Sequence, residues 1–198
     1  MIDPVILILG AGAASRMRGA DKLTELVDGT PQLARIAQAA VATGYRVWVT
    51  LPPDRPLRLA ALRDVPVQIL TVPDPSEGMA ASLRVGLTGT PGDAPLMLVL
   101  GDQPEITADD LRLLLAEWSK TPDLILRATA ADGTPGHPVC FPAWARTDLG
   151  SLDGDQGARS VLDRHRTRVR LVALPDRHAT TDLDTPEDWA VWRAARGE

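Results

Sequence analysis

The sequence predicts an α/β fold: a three-layer α/β/α sandwich around a mostly parallel (mixed) sheet. Three observations carry this expectation. Val5–Leu9 and Leu96–Leu100 are continuous apolar runs without alternation, as strands buried on both faces of a parallel sheet require. Further strand-like runs alternate with segments of helical spacing, the order of βα units. The chain has 198 residues, enough to bury a substantial core as one domain spanning 1–198.

The elements follow in order. After the first apolar run come Gly10-Ala11-Gly12, a natural strand exit. Pro31 can open a helix on which Leu33, Ile36, Ala37, Ala40 and Val41 recur at helical spacing, ending near Gly44. Residues 46–51 read as a second strand, stopped by Pro52-Pro53, and 65–72 as a third, with Pro66 near its start. Residues 77–87 read as helix. The run 96–100 ends at Gly101-Asp102. Thr107 then resembles an N-cap, with Asp109 and Asp110 in the first turn and Leu111, Leu114, Leu115 and Trp118 on one face. Residues 124–128 and 138–141 are short strands, 158–164 a helix, and 169–174 a strand. Thr185-Pro186-Glu187-Asp188 starts the last helix, with Thr at the N-cap, Pro at N1 and Asp at N3.

Composition excludes several classes. Acidic residues outnumber basic ones, 26 to 21, so the chain is not built to coat nucleic acid. The first apolar run is far too short to span a membrane and lacks the basic flank of a signal peptide. Cys140 is the only cysteine, which excludes an internal disulfide and a CxxC zinc site, and it reads as a core residue. His137, His165 and His178 lack metal-ligand spacing. A cytoplasmic location is expected. Of the 21 basic residues only Lys22 and Lys120 are lysines.

In α/β sheets ligands bind beyond the carboxyl ends of the strands. That rule selects the loops after Leu9 and Leu100. The first holds small residues that let backbone N–H groups approach an anion, then Ser15, Arg16, Arg18 and Lys22. Phosphates there would meet amides, a guanidinium fork and a compact ammonium. The segment is not a Walker A loop, because no Gly-Lys-Ser/Thr follows, and not a dinucleotide fingerprint, because Ser15 takes the third glycine position. A solvated surface loop carries the same residue types. The second loop offers Asp102 at a strand end, where one carboxylate can anchor Mg²⁺ against substrate phosphates; Asp and Pro are also plain turn residues. Asp182 and Asp184, two apart, point the same way if extended; one can supply a second carboxylate, and either can instead favour the following helix start.

Three further segments are polar candidates: Gly78-Met79 with Ser82, Gly136-His137-Pro138-Val139, and the motif at 154–159 that ends in Arg159. Each also reads as ordinary loop or helix start. Taken together and in order, these six segments resemble the MobA-like NTP transferase family, and most resemble the molybdenum cofactor cytidylyltransferases. The family signature has the form LAAG-x-S/G-x-R-M/F-G-x-x-K-L; here residues 9–23 read LGAGAASRMRGADKL. Gly10 departs from the usual alanine of the cytidylyltransferases, while guanylyltransferase relatives carry LAGG. Arg18 stands in the place of the usual glycine.

The resemblance implies a Rossmann-like nucleotidyltransferase fold. It implies Mg²⁺-dependent transfer of CMP from CTP to the phosphate of molybdopterin, the molybdenum cofactor, with release of pyrophosphate. Arg16, Lys22 and Asp102 are then the catalytic residues. Leu9, Gly10, Ala11, Gly12, Ser15 and Ser82 join them around the nucleotide. Asp102 with Asp182 or Asp184 would hold the metal. Gly78, Met79, His137 and Arg159 would face the acceptor. Transient contact with a molybdoenzyme or its maturation chaperone is implied; nucleic acid and membrane are not. The alternatives are a guanylyl or sugar-phosphate nucleotidyl transfer, or a non-catalytic carrier of nucleotide or cofactor.

Overall fold

Strand β1 (Val5–Leu9) runs through the middle of a seven-stranded sheet with β4 (Val47–Leu51) on one side and β6 (Leu96–Leu100) on the other, both parallel to it. The computed structural model describes residues 2–154 and 157–197. Val5, Ile6, Leu7 and Ile8 have no solvent exposure, as the unbroken apolar run requires. Beyond β4 lies β5 (Gln68–Thr71), also parallel. Beyond β6 the sheet turns mixed. β8 (Pro135–Phe141) is antiparallel to β6 and to β7 (Ile125–Thr129), and β9 (Val169–Ala173) closes the edge parallel to β7.

Alternate residues of β1 feed two separate cores. Ile6 and Ile8 pack with Leu33, Ile36, Ala37 and Ala40 of α1 (Gln32–Val41) and Leu111, Leu114 and Trp118 of α4 (Ala108–Ser119). Val5 and Leu7 pack on the other face with Ala80 and Leu83 of α3 (Met79–Gly89), Leu149 of α5 (Arg146–Gly150) and Val161 and Leu162 of α6 (Arg159–Arg164). Helices on both faces of a mostly parallel sheet make the expected three-layer sandwich. α3 lies close on the sheet because Gly86 faces Leu7: an added Cβ would fall 2.2 Å from Leu7 Cδ2. Cys140 is buried on β8, as expected.

A third, smaller core joins Met17, Val27, Leu183, Trp189 and Trp192. It binds the loop after β1 to α7 (Pro186–Arg196) and to the short hairpin of β2 (Leu26–Val27) and β3 (Thr30–Pro31). Both expected N-caps form full capping boxes, Thr107 with Asp110 and Thr185 with Asp188.

Several boundaries differ from expectation. The helix expected from residue 77 is split into a short 3₁₀ turn (Pro75–Glu77) and α3, because Gly78 between them has φ 81°. The strand expected from residue 65 begins only at Gln68, after Pro66. The hairpin β2–β3, α5 and α2 (Pro56–Ala61) were not expected, being too short to set a period of their own. In α2 the pattern is also inverted: Leu57 and Leu59 are exposed while Arg58 is fully buried. No helix among the described residues is long and apolar enough to cross a membrane.

Candidate active site

β1 and β6 are parallel and in register, with Leu9 beside Leu100, so their carboxyl ends deliver the two candidate loops to one edge. There they wall a cleft of about 590 Å³. Gly101 allows the approach, since a Cβ there would lie 2.9 Å from the Leu9 carbonyl oxygen. One wall is the loop from Ala11 to Arg16 with Lys22; the other is Pro75, Ser76, Gly78, Met79 and Ser82 at the start of α3. Leu9, Leu100 and Asp102 form the base, and Asp182 and Asp184 close the end.

The loop after β1 is shaped by local backbone and by Met17. Ala14 and Arg18 both adopt left-handed conformations, at φ 52°, either side of a 3₁₀ turn over Ser15–Met17. The turn buries Met17 in the third core and leaves Arg16 mostly exposed, its side chain 69% accessible. Arg18 reaches Glu187 at 2.8 Å, on the exposed surface.

The acidic end is assembled from two distant segments. Asp102, Asp182 and Asp184 place carboxylate oxygens within 4.8 Å of one another. Glu105 holds the second segment down: it accepts from Thr181 Oγ1 at 2.6 Å and from Trp192 Nε1 at 3.0 Å. Gln103 Nε2 and the His137 backbone N–H both donate to the Ala179 carbonyl, at 3.0 and 2.9 Å. Lys22 stands among the carboxylates, 2.5 Å from Asp102, 2.6 Å from Asp184 and 3.7 Å from Asp182. Arg16 also reaches Asp184, at 2.6 Å.

These contacts set the charge states. Burial alone would lower the Lys22 pKa, but the charge and hydrogen bond of Asp102, the hydrogen bond of Asp184 and the charge of Asp182 outweigh it and hold the ammonium above its usual range. Partial burial, then the neighbouring Asp102 charge, push Asp182 up to about 6. Crowded carboxylates repel, so such a cluster favours a cation. Oxygen ligands suit a hard divalent ion.

Of the candidate residues, the cleft brings together Leu9, Ala11, Gly12, Ser15, Arg16, Lys22, Gly78, Met79, Ser82, Asp102, Asp182 and Asp184. It does not bring in Gly10, His137 or Arg159. Gly10 is buried behind the loop, where a Cβ would meet the Thr50 carbonyl at 3.0 Å. The His137 imidazole has its Nδ1 buried without a hydrogen-bond partner among the described residues. Arg159 extends into solvent at the start of α6, 86% accessible, with Asp163 at 4.0 Å. Asp155 and Gln156 of the same motif lie outside the described residues. Sequence reasoning missed Glu105, Asp21 and Arg58. Glu105 directly follows the Gly101–Pro104 motif, which is the one signal that could have found it.

Residues 6–169 match the model of the MobA-like NTP transferase domain. The chain belongs to that family. It is a nucleotidyltransferase, with the cleft at the strand ends as its candidate active site. Among MobA-like relatives, a probable molybdenum cofactor guanylyltransferase of Synechococcus elongatus is 30% identical over 185 residues, covering 90% of this chain and 93% of the relative. The 3-phospho-D-glycerate guanylyltransferase of Phenylobacterium zucineum is 31% identical, covering 95% of this chain and 88% of its own. The crystal structure of Rv0371c from Mycobacterium tuberculosis superposes with a TM-score of 0.83 at 28% identity, covering 96% of this chain and 97% of that one. A manganese complex of Rv0371c superposes with a TM-score of 0.74 at 26% identity, covering 96% of each chain.

Proposed function

We propose that this MobA-like transferase moves a nucleoside monophosphate from an NTP to the phosphate of molybdenum cofactor, releasing pyrophosphate, with a divalent cation. One observation carries the reading: Lys22, Arg16 and the Ala11–Ser15 backbone line the same cleft as Asp102, Asp182 and Asp184. Cations and amides for a triphosphate thus lie beside carboxylates for a metal. The acceptor phosphate oxygen attacks the α-phosphorus in line, the bond from the α-phosphorus to the α,β-bridging oxygen breaks, and pyrophosphate leaves with that electron pair.

The protein positions the reactants and neutralises charge. Lys22 and Arg16 offset the charge that grows on the leaving pyrophosphate. Asp102 and Asp184, with the more exposed Asp182, would hold the cation. A bound cation would supply charge neutralisation at the phosphate oxygens. Mg²⁺ fits an all-oxygen set of this kind, and Rv0371c takes manganese. Gly78 and Met79 belong to the facing wall, where the acceptor would lie, and Ser82 beside them would face the nucleotide. A molybdoenzyme or its maturation chaperone would receive the product.

The overall resemblance to the cytidylyltransferases favours CTP as the donor. The guanylyltransferase reading is favoured by the names of the Synechococcus and Phenylobacterium relatives. Pyrophosphate release from each NTP, with molybdopterin and Mg²⁺ or Mn²⁺, tests both. Fastest release from CTP supports cytidylyl transfer; fastest release from GTP replaces it. Release with 3-phosphoglycerate and not molybdopterin would overturn the acceptor. No release with any pair would overturn the proposed reaction.

A further inference from the structure

Arg58 has no solvent exposure, although it sits on a six-residue helix whose leucines face outward. A buried guanidinium is tolerated only if its charge is paired and its N–H groups are satisfied. Here Nε and Nη2 grip the Asp21 carboxylate at 2.7 and 3.0 Å. Nη1 donates to two backbone carbonyls, Gly10 at 2.7 Å and Gly12 at 2.8 Å. One side chain therefore ties the start of the loop, where it leaves β1, to its end beside Lys22.

The consequence lies in the peptide units. A trans peptide is planar, so each carbonyl opposes the N–H of the next residue. With the Gly10 and Gly12 oxygens drawn back onto Arg58, the N–H groups of Ala11 and Ala13 face away from it. Both alanines line the cleft. Neither N–H donates to a protein acceptor among the described residues.

We propose that Arg58 is a positioning residue for polyphosphate: it fixes the orientation of two peptides so that the Ala11 and Ala13 amides meet the triphosphate, and through Asp21 it holds the backbone at Lys22. Arg58 touches no substrate; it acts from behind the loop. This inference rests on the nucleotidyl-transfer reading above and deepens it.

The test uses the full chain, ¹⁵N-labelled, with inorganic tripolyphosphate as probe. The amide protons of Ala11 and Ala13 should shift on titration of the wild-type protein. Arg58→Lys, which keeps a charge over Asp21 but cannot fork to both carbonyls, should lose tripolyphosphate affinity about 10-fold or more, and KM for the NTP should rise more than kcat falls. Arg146→Met is the control. Arg146 is another buried arginine, which donates to the Ala94 and Leu87 carbonyls in the opposite layer. It should lower thermal stability and leave tripolyphosphate affinity unchanged. Tripolyphosphate binding with both amides unmoved, or an Arg58→Lys variant that binds as tightly as wild type, overturns the proposal while nucleotidyl transfer stands. Wild-type protein that binds neither tripolyphosphate nor any NTP overturns both. The amide shifts are read on wild type, so the proposal stays testable even where an Arg58 variant does not fold.

Discussion

Lys22 Nζ lies 2.5 Å from Asp102 Oδ2, at the point where the loops after β1 and β6 meet. The pair joins the proposed phosphate-binding cation to a proposed metal-binding anion. Here the two charges satisfy each other; a divalent ion held by the carboxylates would compete with the ammonium for Asp102.

Lys22→Ala is therefore expected to act in two directions. Turnover should fall at least about tenfold, since a charge-assisted contact to phosphate exceeds about 1.4 kcal/mol. Affinity for Mn²⁺ in the absence of nucleotide, read by calorimetry, should rise because the competing ammonium is gone. Lys22→Arg should not restore turnover, because a longer planar fork cannot occupy a site shaped for a point charge. Unchanged turnover in Lys22→Ala would remove the residue from the site.

The carboxylates should not be equivalent. Asp102 and Asp184 contact Lys22 directly, at 2.5 and 2.6 Å, whereas Asp182 stands 3.7 Å away with its side chain 52% accessible. Asp102→Asn and Asp184→Asn are expected to lower kcat by about 100-fold or more, Asp182→Asn by about 10-fold. Assays across a range of Mg²⁺ concentrations check this ranking. Equal losses for the three would contradict it.

The left-handed backbone at Arg18 gives a stability prediction. A side chain at φ 52° carries strain that glycine avoids. The exposed Arg18–Glu187 pair returns little. Arg18→Gly should raise stability by roughly 0.5–1 kcal/mol, visible as a higher thermal midpoint. A lower midpoint would show that the ion pair outweighs the strain.

His137 predicts a pH dependence. Burial, then the positive charge of Arg127, hold its pKa down at about 4. In the unfolded chain it titrates near ~6.5. Between these values the unfolded state binds the extra proton, so stability falls as pH is lowered through that window. The expected loss at pH 5 is about 2 kcal/mol, becoming complete only below about pH 4. Urea unfolding at pH 7.5 and pH 5 should show a larger drop for wild type than for His137→Gln. Equal drops would mean that His137 charges as readily in the folded protein as outside it.

The sheet was legible because its chemistry is local. An unbroken apolar run such as Val5–Leu9 suits a strand covered on both faces, and the Thr107 and Thr185 boxes satisfy helix N–H groups within one turn. Most of the cleft was legible for a related reason. Loops at the carboxyl ends of parallel strands converge by topology, so the residues after Leu9 and Leu100 share an edge once the strands pair. Gly10, His137 and Arg159 show the limit: a motif names residue types, not the direction in which they point.

By itself, the sequence determined the layered α/β architecture, the family motifs and the loop that carries Arg16 and Lys22. Only the tertiary structure decided which acids join Asp102, which candidates stay outside the cleft, and what holds the glycine loop in shape. Arg58 is the sharpest case. The sequence marks no helix there, and in the fold Arg58 is buried while its neighbours Leu57 and Leu59 are exposed. A buried guanidinium is stable only where a carboxylate and free carbonyls converge on it from distant parts of the chain. That convergence of Asp21, Gly10 and Gly12 exists only after the loop has folded over α2.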